Sequence, residues 1–141
     1  MKSFATVIFV DPTAKARARS TVIAGHVHEY TPKKTANAEM LIIAAIRQKI
    51  GPAFTTFDAG VPLRLEATFY ILRPKSLPKR VTMPVKKPDV DNYGKLVMDA
   101  LNHFVYPSDS QVTTLVLRKR FVSDGQVPRI ELRIREEDCM E

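Results

Sequence analysis

The pattern that sets the architecture begins at residues 63–72, LRLEATFYIL, and continues at residues 93–104, YGKLVMDALNHF. Apolar and polar side chains alternate from Leu63 to Leu72, which is typical of a half-buried β-strand. In the second segment the apolar residues from Leu96 to Phe104 recur at helical spacing and share one face. A strand and an amphipathic helix are therefore predicted on either side of residues 73–88.

Three further strands and one further helix are predicted outward from this pair. The first strand, Phe4–Val10, is β-branched and aromatic and is expected to be largely buried. Thr35 is a plausible N-cap for a helix over Ala36–Ile50, which ends at a Gly-Pro pair. That helix is apolar enough to be a core helix, or a core helix that also contributes to a subunit interface. Strands are predicted at Gln111–Phe121 and Val127–Arg135, so the chain reads as one α+β domain.

Length and charge narrow the class of protein. The chain has 141 residues, with 22 Lys and Arg against 15 Asp and Glu, a formal charge of +7. Residues 1–130 hold 20 of these bases and 10 of the acids, a net of +10, while residues 136–141 are an acidic tail. A basic body favours a polyanionic partner such as nucleic acid. The single cysteine, Cys139, forms no intramolecular disulfide, and no segment reads as a membrane span, so a cytoplasmic protein is expected.

Two segments concentrate the positive charge. Lys15, Arg17 and Arg19 alternate, and in an extended chain their side chains point the same way. They are either a solvated basic loop or a row of phosphate contacts. Residues 73–88 contain four prolines and six bases but no acid, which predicts a loop of about 16 residues and suggests a functional role.

The chemistry is concentrated at residues 87–95, KPDVDNYGK. Asp89 and Asp91 are two residues apart, so in an extended chain both carboxylates lie on one side and can share a cation. The structural alternative is that Asp91 or Asn92 caps the following helix, which would explain one acid but not two. Lys95 and Asp99 follow at four-residue intervals, where an ordinary surface ion-pair network is the alternative to a catalytic role.

A third acid, Asp109, lies in the connection after this helix, and its importance depends on whether the fold returns it to Asp89 and Asp91. Oxygen ligands select Mg²⁺ or Mn²⁺, which suits phosphodiester hydrolysis. His26 and His28 lack a third ligand type and are expected to be polar surface groups. Aromatic side chains are expected in the core rather than stacked on bases, namely Tyr30, Phe54, Phe57, Phe69 and Phe104.

These segments together resemble the RusA family of Holliday-junction endonucleases. The resemblance covers residues 87–102, KPDVDNYGKLVMDALN, residues 106–112, YPSDSQV, and Lys119. Residues 15–19, KARAR, and 30–35, YTPKKT, are similar to early basic and threonine-proline segments of that family. The resemblance implies a single compact domain with a mixed sheet and two main helices. It also implies a two-fold homodimer that binds four-way DNA junctions and cuts them symmetrically with Mg²⁺, in a bacterial cell and encoded by a phage or prophage.

The resemblance also carries residue roles. Asp89, Asp91 and Asp109 fall on the family's catalytic, metal-binding aspartates, and Lys95 falls on its catalytic lysine. Asn92 and Asp99 are expected to contact these catalytic groups and hold them in position without binding the metal themselves. DNA backbone contacts are expected from the following bases: Lys15, Arg17, Arg19, Lys75, Lys79, Arg80, Lys86, Lys87 and Lys119.

Ser108 is a departure from the family pattern, which often has a second acid at this position. It keeps open a second hypothesis, a branched-DNA-binding protein that does not cut, and a third, a nuclease for flaps or single strands.

Overall fold

The alternating strand is an inner strand of a four-stranded sheet. The computed structural model describes residues 2–16, 19–30, 32–50 and 56–138, with the side chain of Arg19 excluded. The strands of this sheet are β1 (Ser3–Ile8), β4 (Leu63–Ile71), β5 (Val112–Phe121) and β6 (Arg129–Glu136). Their order is β1-β6-β4-β5, with β4 and β5 parallel and the other pairs antiparallel. The predicted α+β domain with a mixed sheet and two main helices is therefore confirmed.

The two helices are α1 (Lys33–Ile50) and α2 (Val90–Leu101), and both pack on the same face of the sheet. Leu63, Leu65 and Phe69 of β4 are almost completely buried against them. Gly94 of α2 allows a close approach to β5, because a Cβ at this position would overlap the side chain of Leu117. Close packing of α2 on β5 fixes the position of the residues at the start of α2.

A hairpin outside the main sheet was missed by the sequence patterns. It pairs β2 (Arg19–Ile23) with β3 (His26–Tyr30), and the residues of β3 are exposed along its whole length. A strand that is exposed on both faces shows no alternation of apolar and polar residues, which is the signal used to predict strands. The expectation that Tyr30 is a core residue is wrong, since 47% of it is exposed, whereas Phe57 and Phe69 are buried as predicted.

Element boundaries differ from the prediction by a few residues. The first helix begins at Lys33, so Thr35 lies within the helix and is not its N-cap. Its buried hydroxyl instead accepts a hydrogen bond from the Ala16 backbone amide at 3.3 Å. Strand β1 ends at Ile8, and Phe9 is exposed. Phe54, Arg17 and Cys139 lie outside the described residues.

Residues 73–88 contain no helix or strand. Arg73 holds this loop, because its guanidinium group donates to the carbonyl oxygens of Leu77, Pro78 and Val81. The acidic end is partly built into the fold, since Glu136 belongs to β6 and the Glu137 carboxylate accepts from the hydroxyl groups of Thr113 and Thr114. In the part of the chain that the structure describes, neither helix is long and apolar enough to cross a membrane.

Candidate active site

The two leading aspartates lie at the N-terminus of α2. Asp89 is the N-cap residue, with φ −69° and ψ 147°, but its side chain makes no capping hydrogen bond. Its backbone carbonyl receives the Asn92 amide at 3.1 Å, so the helix starts without using the carboxylate. Asp91 follows in the first turn, and both side chains are exposed. Within the described residues neither carboxylate forms a hydrogen bond or ion pair, which leaves their oxygens available to a cation.

Lys119 anchors the chain just before these aspartates. Its ammonium donates to the carbonyl oxygens of Lys86 and Pro88, at 2.8 Å each. The side chain reaches the helix side of the sheet, because Lys119 is paired in register with the buried Phe69. Lys119 thus links β5 to the segment that carries Asp89.

The predicted stack of Asp91, Lys95 and Asp99 is not formed. Lys95 is exposed and makes no ion pair within the described residues. Asp99 pairs instead with Lys15, whose ammonium lies 2.9 Å from Asp99 Oδ2 and 2.7 Å from Glu39 Oε1. Lys95 is therefore one helical turn from Asp91 with its charge uncompensated by a neighbouring carboxylate.

Lys15 has a structural position that differs from the predicted DNA contact. Its backbone amide donates to the Asn92 carbonyl at 2.8 Å, and its side chain bridges α1 to α2 through Glu39 and Asp99. Partial burial by itself lowers the pKa of Lys15, but the hydrogen bonds and charges of these two carboxylates outweigh it and raise the pKa. The backbone amide of Lys15 thus holds the first turn of α2, and its side chain holds the C-terminal half of this helix near α1.

Asp109 lies beyond the opposite end of α2. It opens a short 3₁₀ turn, Asp109–Gln111, and its backbone amide donates to Asn102 Oδ1 at 3.1 Å. Asp109 Oδ1 and the Tyr106 hydroxyl are both buried, and neither has a well-aligned hydrogen-bond partner among the described residues. The two groups are nevertheless close enough to interact. Burial first, and then Asp109, raises the pKa of Tyr106.

Ser108 has a local structural role that accounts for its side chain. Its hydroxyl accepts the Ser110 amide at 3.2 Å, while the Ser108 amide donates to Gln111 Oε1 at 3.2 Å, which completes a capping box. The Gln111 side chain also donates to the carbonyl oxygens of Asp58 and Val61. The pattern Ser-x-x-Gln is visible in the sequence and could have identified these supports of Asp109.

The three predicted metal ligands do not meet within one chain. Leu101 is ten positions after Asp91, so these two residues are about 15 Å apart along α2. Among the described residues, no three His, Cys, Asp or Glu side chains lie close enough to hold one ion. Asp89 and Asp91 fit a hard cation that retains water and also binds substrate phosphate oxygens, because both carboxylates are exposed and unpaired.

The surroundings of the aspartates are basic. Five predicted DNA contacts are exposed and make no ion pair in the described part of the chain: Lys75, Lys79, Arg80, Lys86 and Lys87. Lys86 and Lys87 border a cleft of about 540 Å³ whose other walls include Leu77, Met83 and Tyr93. The carboxylates of Asp89 and Asp91 therefore follow directly on a positively charged loop that can hold a phosphate backbone.

Comparison with known proteins identifies the family of the chain. Residues 10–135 match the model of the family described as "Endodeoxyribonuclease RusA". The chain is also 34% identical over 139 residues to a protein of Bacillus subtilis (strain 168) named "Uncharacterized protein YqaN", a match that covers 92% of this chain and 93% of that protein. The matched region contains every predicted site residue from Lys15 to Lys119. The chain belongs to the RusA family of endodeoxyribonucleases.

Proposed function

We propose that this protein is a Mg²⁺-dependent endonuclease that resolves four-way DNA junctions by paired, symmetric phosphodiester cleavage. The observation that carries the proposal is the pair of unengaged carboxylates, Asp89 and Asp91, directly after the basic loop and at the N-terminus of α2. An acid pair without a structural partner in a basic protein of this family is best explained by a metal and a phosphate. Its place of action is then the DNA of a bacterial cell, and a phage or prophage origin is part of the proposal.

Each residue of the site has a defined task. Asp89 and Asp91 hold the ion, which when bound supplies a nucleophilic hydroxide at neutral pH and stabilises the leaving oxygen. Mn²⁺ is a suitable substitute because it accepts the same oxygen ligands. Lys95 presents its ammonium one turn along the same helix, where it offsets charge that develops on the phosphoryl oxygens. Lys119 keeps the carbonyl-rich segment before Asp89 in place.

Asp109 is the third proposed metal ligand, and it lies away from Asp89, Asp91 and Lys95. Asn102 and the capping box hold it at the far end of α2. It therefore reaches an ion on Asp89 and Asp91 only if it comes from a second copy of the chain or if residues 106–111 move. A second copy is the simpler route, because it leaves the capping box intact. The junction itself has two equivalent scissile phosphates, which match the two sites of an isologous dimer.

The exposed apolar surface supports a homodimer. The hairpin β2–β3 packs weakly on the rest of the described chain, and its Val22, Ile23 and Val27 are each more than half exposed. A two-stranded hairpin by itself is marginally stable in water. Met40 and Leu41 add two exposed apolar side chains on α1. A second copy covering these residues would stabilise the hairpin and bury a surface that is costly in water.

A branched-DNA-binding protein without cleavage is the second candidate, and the separation of Asp109 from the other acids favours it. Ser108 gives it less support than the sequence suggested, because the capping box explains a serine at this position. The two candidates share the basic surface and differ only in metal-dependent cleavage.

The test is a substrate panel for the purified protein: a four-way junction, a flap, a single strand and a linear duplex, each with Mg²⁺, Mn²⁺ or EDTA. The proposal predicts paired nicks at symmetry-related positions of the junction that require metal, with little cutting of duplex. Salt-sensitive junction binding without nicks supports the second candidate. Preferred cutting of flaps or single strands identifies a nuclease of different specificity.

A further inference from the structure

The four-stranded sheet has a second face that neither helix covers. Because side chains alternate along each strand, the residues between the buried positions all project from this open face. The strand registers bring six arginines together there, contributed by three adjacent strands: Arg64, Arg118, Arg120, Arg129, Arg133 and Arg135. The only acids of these strands on the same face are Glu66 and Glu131. Glu137, directly after β6, is a third acid close to this face, because the charges of Arg64 and Arg135 add to the hydrogen bonds of Thr113 and Thr114 in lowering its pKa. The six arginines therefore exceed the three nearby acids by three positive charges.

The two acids are already used by particular arginines. Glu66 pairs with Arg64 at 2.8 Å, and Glu131 pairs with Arg129 at 3.1 Å. The Arg64 hydrogen bond, followed by the charges of Arg118 and Arg133 among others, lowers the pKa of Glu66. Glu66 therefore remains a carboxylate, and the surplus charge of the face includes Arg118 and Arg133, which pair with neither acid.

Arg118 and Arg133 are the most available members of the set. Both are exposed, and neither forms a salt bridge with a carboxylate of the described residues. Tyr70 lies between two further arginines of the face. The guanidinium group of Arg129 is 3.9 Å from its ring centroid, and Arg120 is its register partner on β5. An aromatic side chain that stacks on a guanidinium group orients it without neutralising it.

The chemistry of the face selects its occupant. Guanidinium groups bind phosphate oxygens in a bidentate geometry and lose less hydration energy than ammonium groups. The large exposed apolar residues lie elsewhere, on α1, the hairpin, several loops and, at Leu115, the helix side of β5. The open face therefore lacks the apolar surface expected between two copies of the chain. With three strand spacings it is about 14 Å wide, enough for several phosphates of one duplex.

We propose that the open face of the sheet is a second DNA-binding surface, which holds the sugar–phosphate backbone of a duplex arm on the side of the sheet opposite to Asp89 and Asp91. Lys119 on β5 points to the helices and the catalytic segment, whereas its neighbours Arg118 and Arg120 point to the open face. One strand thus connects the two surfaces. The inference rests on the proposed function, because the partner is the same branched DNA.

The experiment is a salt titration of DNA binding by fluorescence anisotropy, with EDTA present to prevent cleavage. The variant Arg118→Gln/Arg133→Gln removes two charges from the open face. Lys34→Gln/Arg47→Gln removes two from exposed positions of α1, on the other side of the sheet. Each phosphate contact contributes about −0.9 to the slope of log K against log salt, so the first variant should lose about 1.8 of the slope. Between 50 and 200 mM salt, the wild type should then lose about 12-fold more affinity than this variant.

The outcome separates this inference from the proposed function. An unchanged slope in Arg118→Gln/Arg133→Gln, or an equal loss in the α1 control, overturns the inference while cleavage by the wild type still supports the nuclease. A wild type that binds no DNA overturns both. If the double variant is poorly folded, the single Arg118→Gln at its exposed position provides the same test with half the change in slope, and Arg118→Lys should retain the slope.

Discussion

Lys119→Met separates a positioning role from a DNA contact at the same residue. The substitution keeps the length of the side chain but removes both hydrogen bonds to the carbonyl oxygens of Lys86 and Pro88. Hydrogen bonds to a charged group contribute about 1.5–3 kcal/mol each, and these two are exposed, so about 1.5–3 kcal/mol for the pair is expected. That corresponds to about a 10- to 100-fold lower population of the segment that aligns Asp89.

The assay is single-turnover cleavage of a four-way junction, with binding measured separately in EDTA. We expect the single-turnover rate constant to fall about 10- to 100-fold and the Mg²⁺ concentration for half-maximal rate to rise. The Kd for the junction and its dependence on salt should change little. Lys79→Met is the matched control, since Lys79 is exposed and unpaired in the described chain. Lys79→Met should lower the slope of log K against log salt by about 0.9 and leave the single-turnover rate constant unchanged. If Lys119→Met behaves like this control, Lys119 is a phosphate contact and the positioning argument fails.

Three further experiments test other parts of the account. Lys15→Met should reduce the free energy of unfolding by about 1 kcal/mol at pH 7, because its ion pairs are partly exposed. Folding raises the pKa of Lys15, so its ion pairs contribute fully to the free energy of unfolding below the unfolded-state pKa of about 10.4. This contribution is lost as the pH rises through the pKa of Lys15 in the folded protein. Urea titrations of wild type and variant should therefore converge at alkaline pH. Gly94→Ala should destabilise the wild type by about 1–2 kcal/mol, because the new methyl group meets Leu117. In a Leu117→Ala protein the same substitution should stabilise the fold by up to about 1 kcal/mol. Equal effects in both backgrounds would contradict the close packing of α2 on β5. A mixture of inactive Asp91→Asn and Asp109→Asn chains should regain cleavage if Asp109 acts on the partner's site, whereas no recovery in confirmed heterodimers would favour movement of residues 106–111.

The periodicity of apolar residues was sufficient to predict the main helices and strands, and with them the loop and helix start around Asp89 and Asp91. Alternation in β4 and helical spacing in α2 are strong because each element buries one face. The same reasoning missed the hairpin β2–β3, whose strands have no buried face, and extended β1 to the exposed Phe9. Burial therefore determines what a pattern can reveal, because a strand without a buried face has no alternation of apolar and polar residues to detect.

Spacing was a poorer guide to contacts between side chains. The four-residue intervals suggested that Lys95 would pair with its helical neighbours, but the tertiary fold brings Lys15 to Asp99 instead. Lys119 was expected to face DNA, yet its ammonium is bound to loop carbonyls. Asp109 could not be placed relative to the other acids, because that depends on how residues 102–108 end the helix. Such contacts are set by long-range packing, which no local pattern encodes.

The central claim is that Asp91 belongs to a metal site that cuts DNA. The most direct measurement compares Asp91→Asn with Asp124→Asn, a matched change at an exposed acid of the β5–β6 turn, for both binding and cleavage of a four-way junction in Mg²⁺. The account predicts that Asp91→Asn abolishes cleavage while junction binding is retained or strengthened, because a negative charge near phosphate is removed, and that Asp124→Asn behaves as wild type. Full cleavage by a folded Asp91→Asn protein would contradict the account.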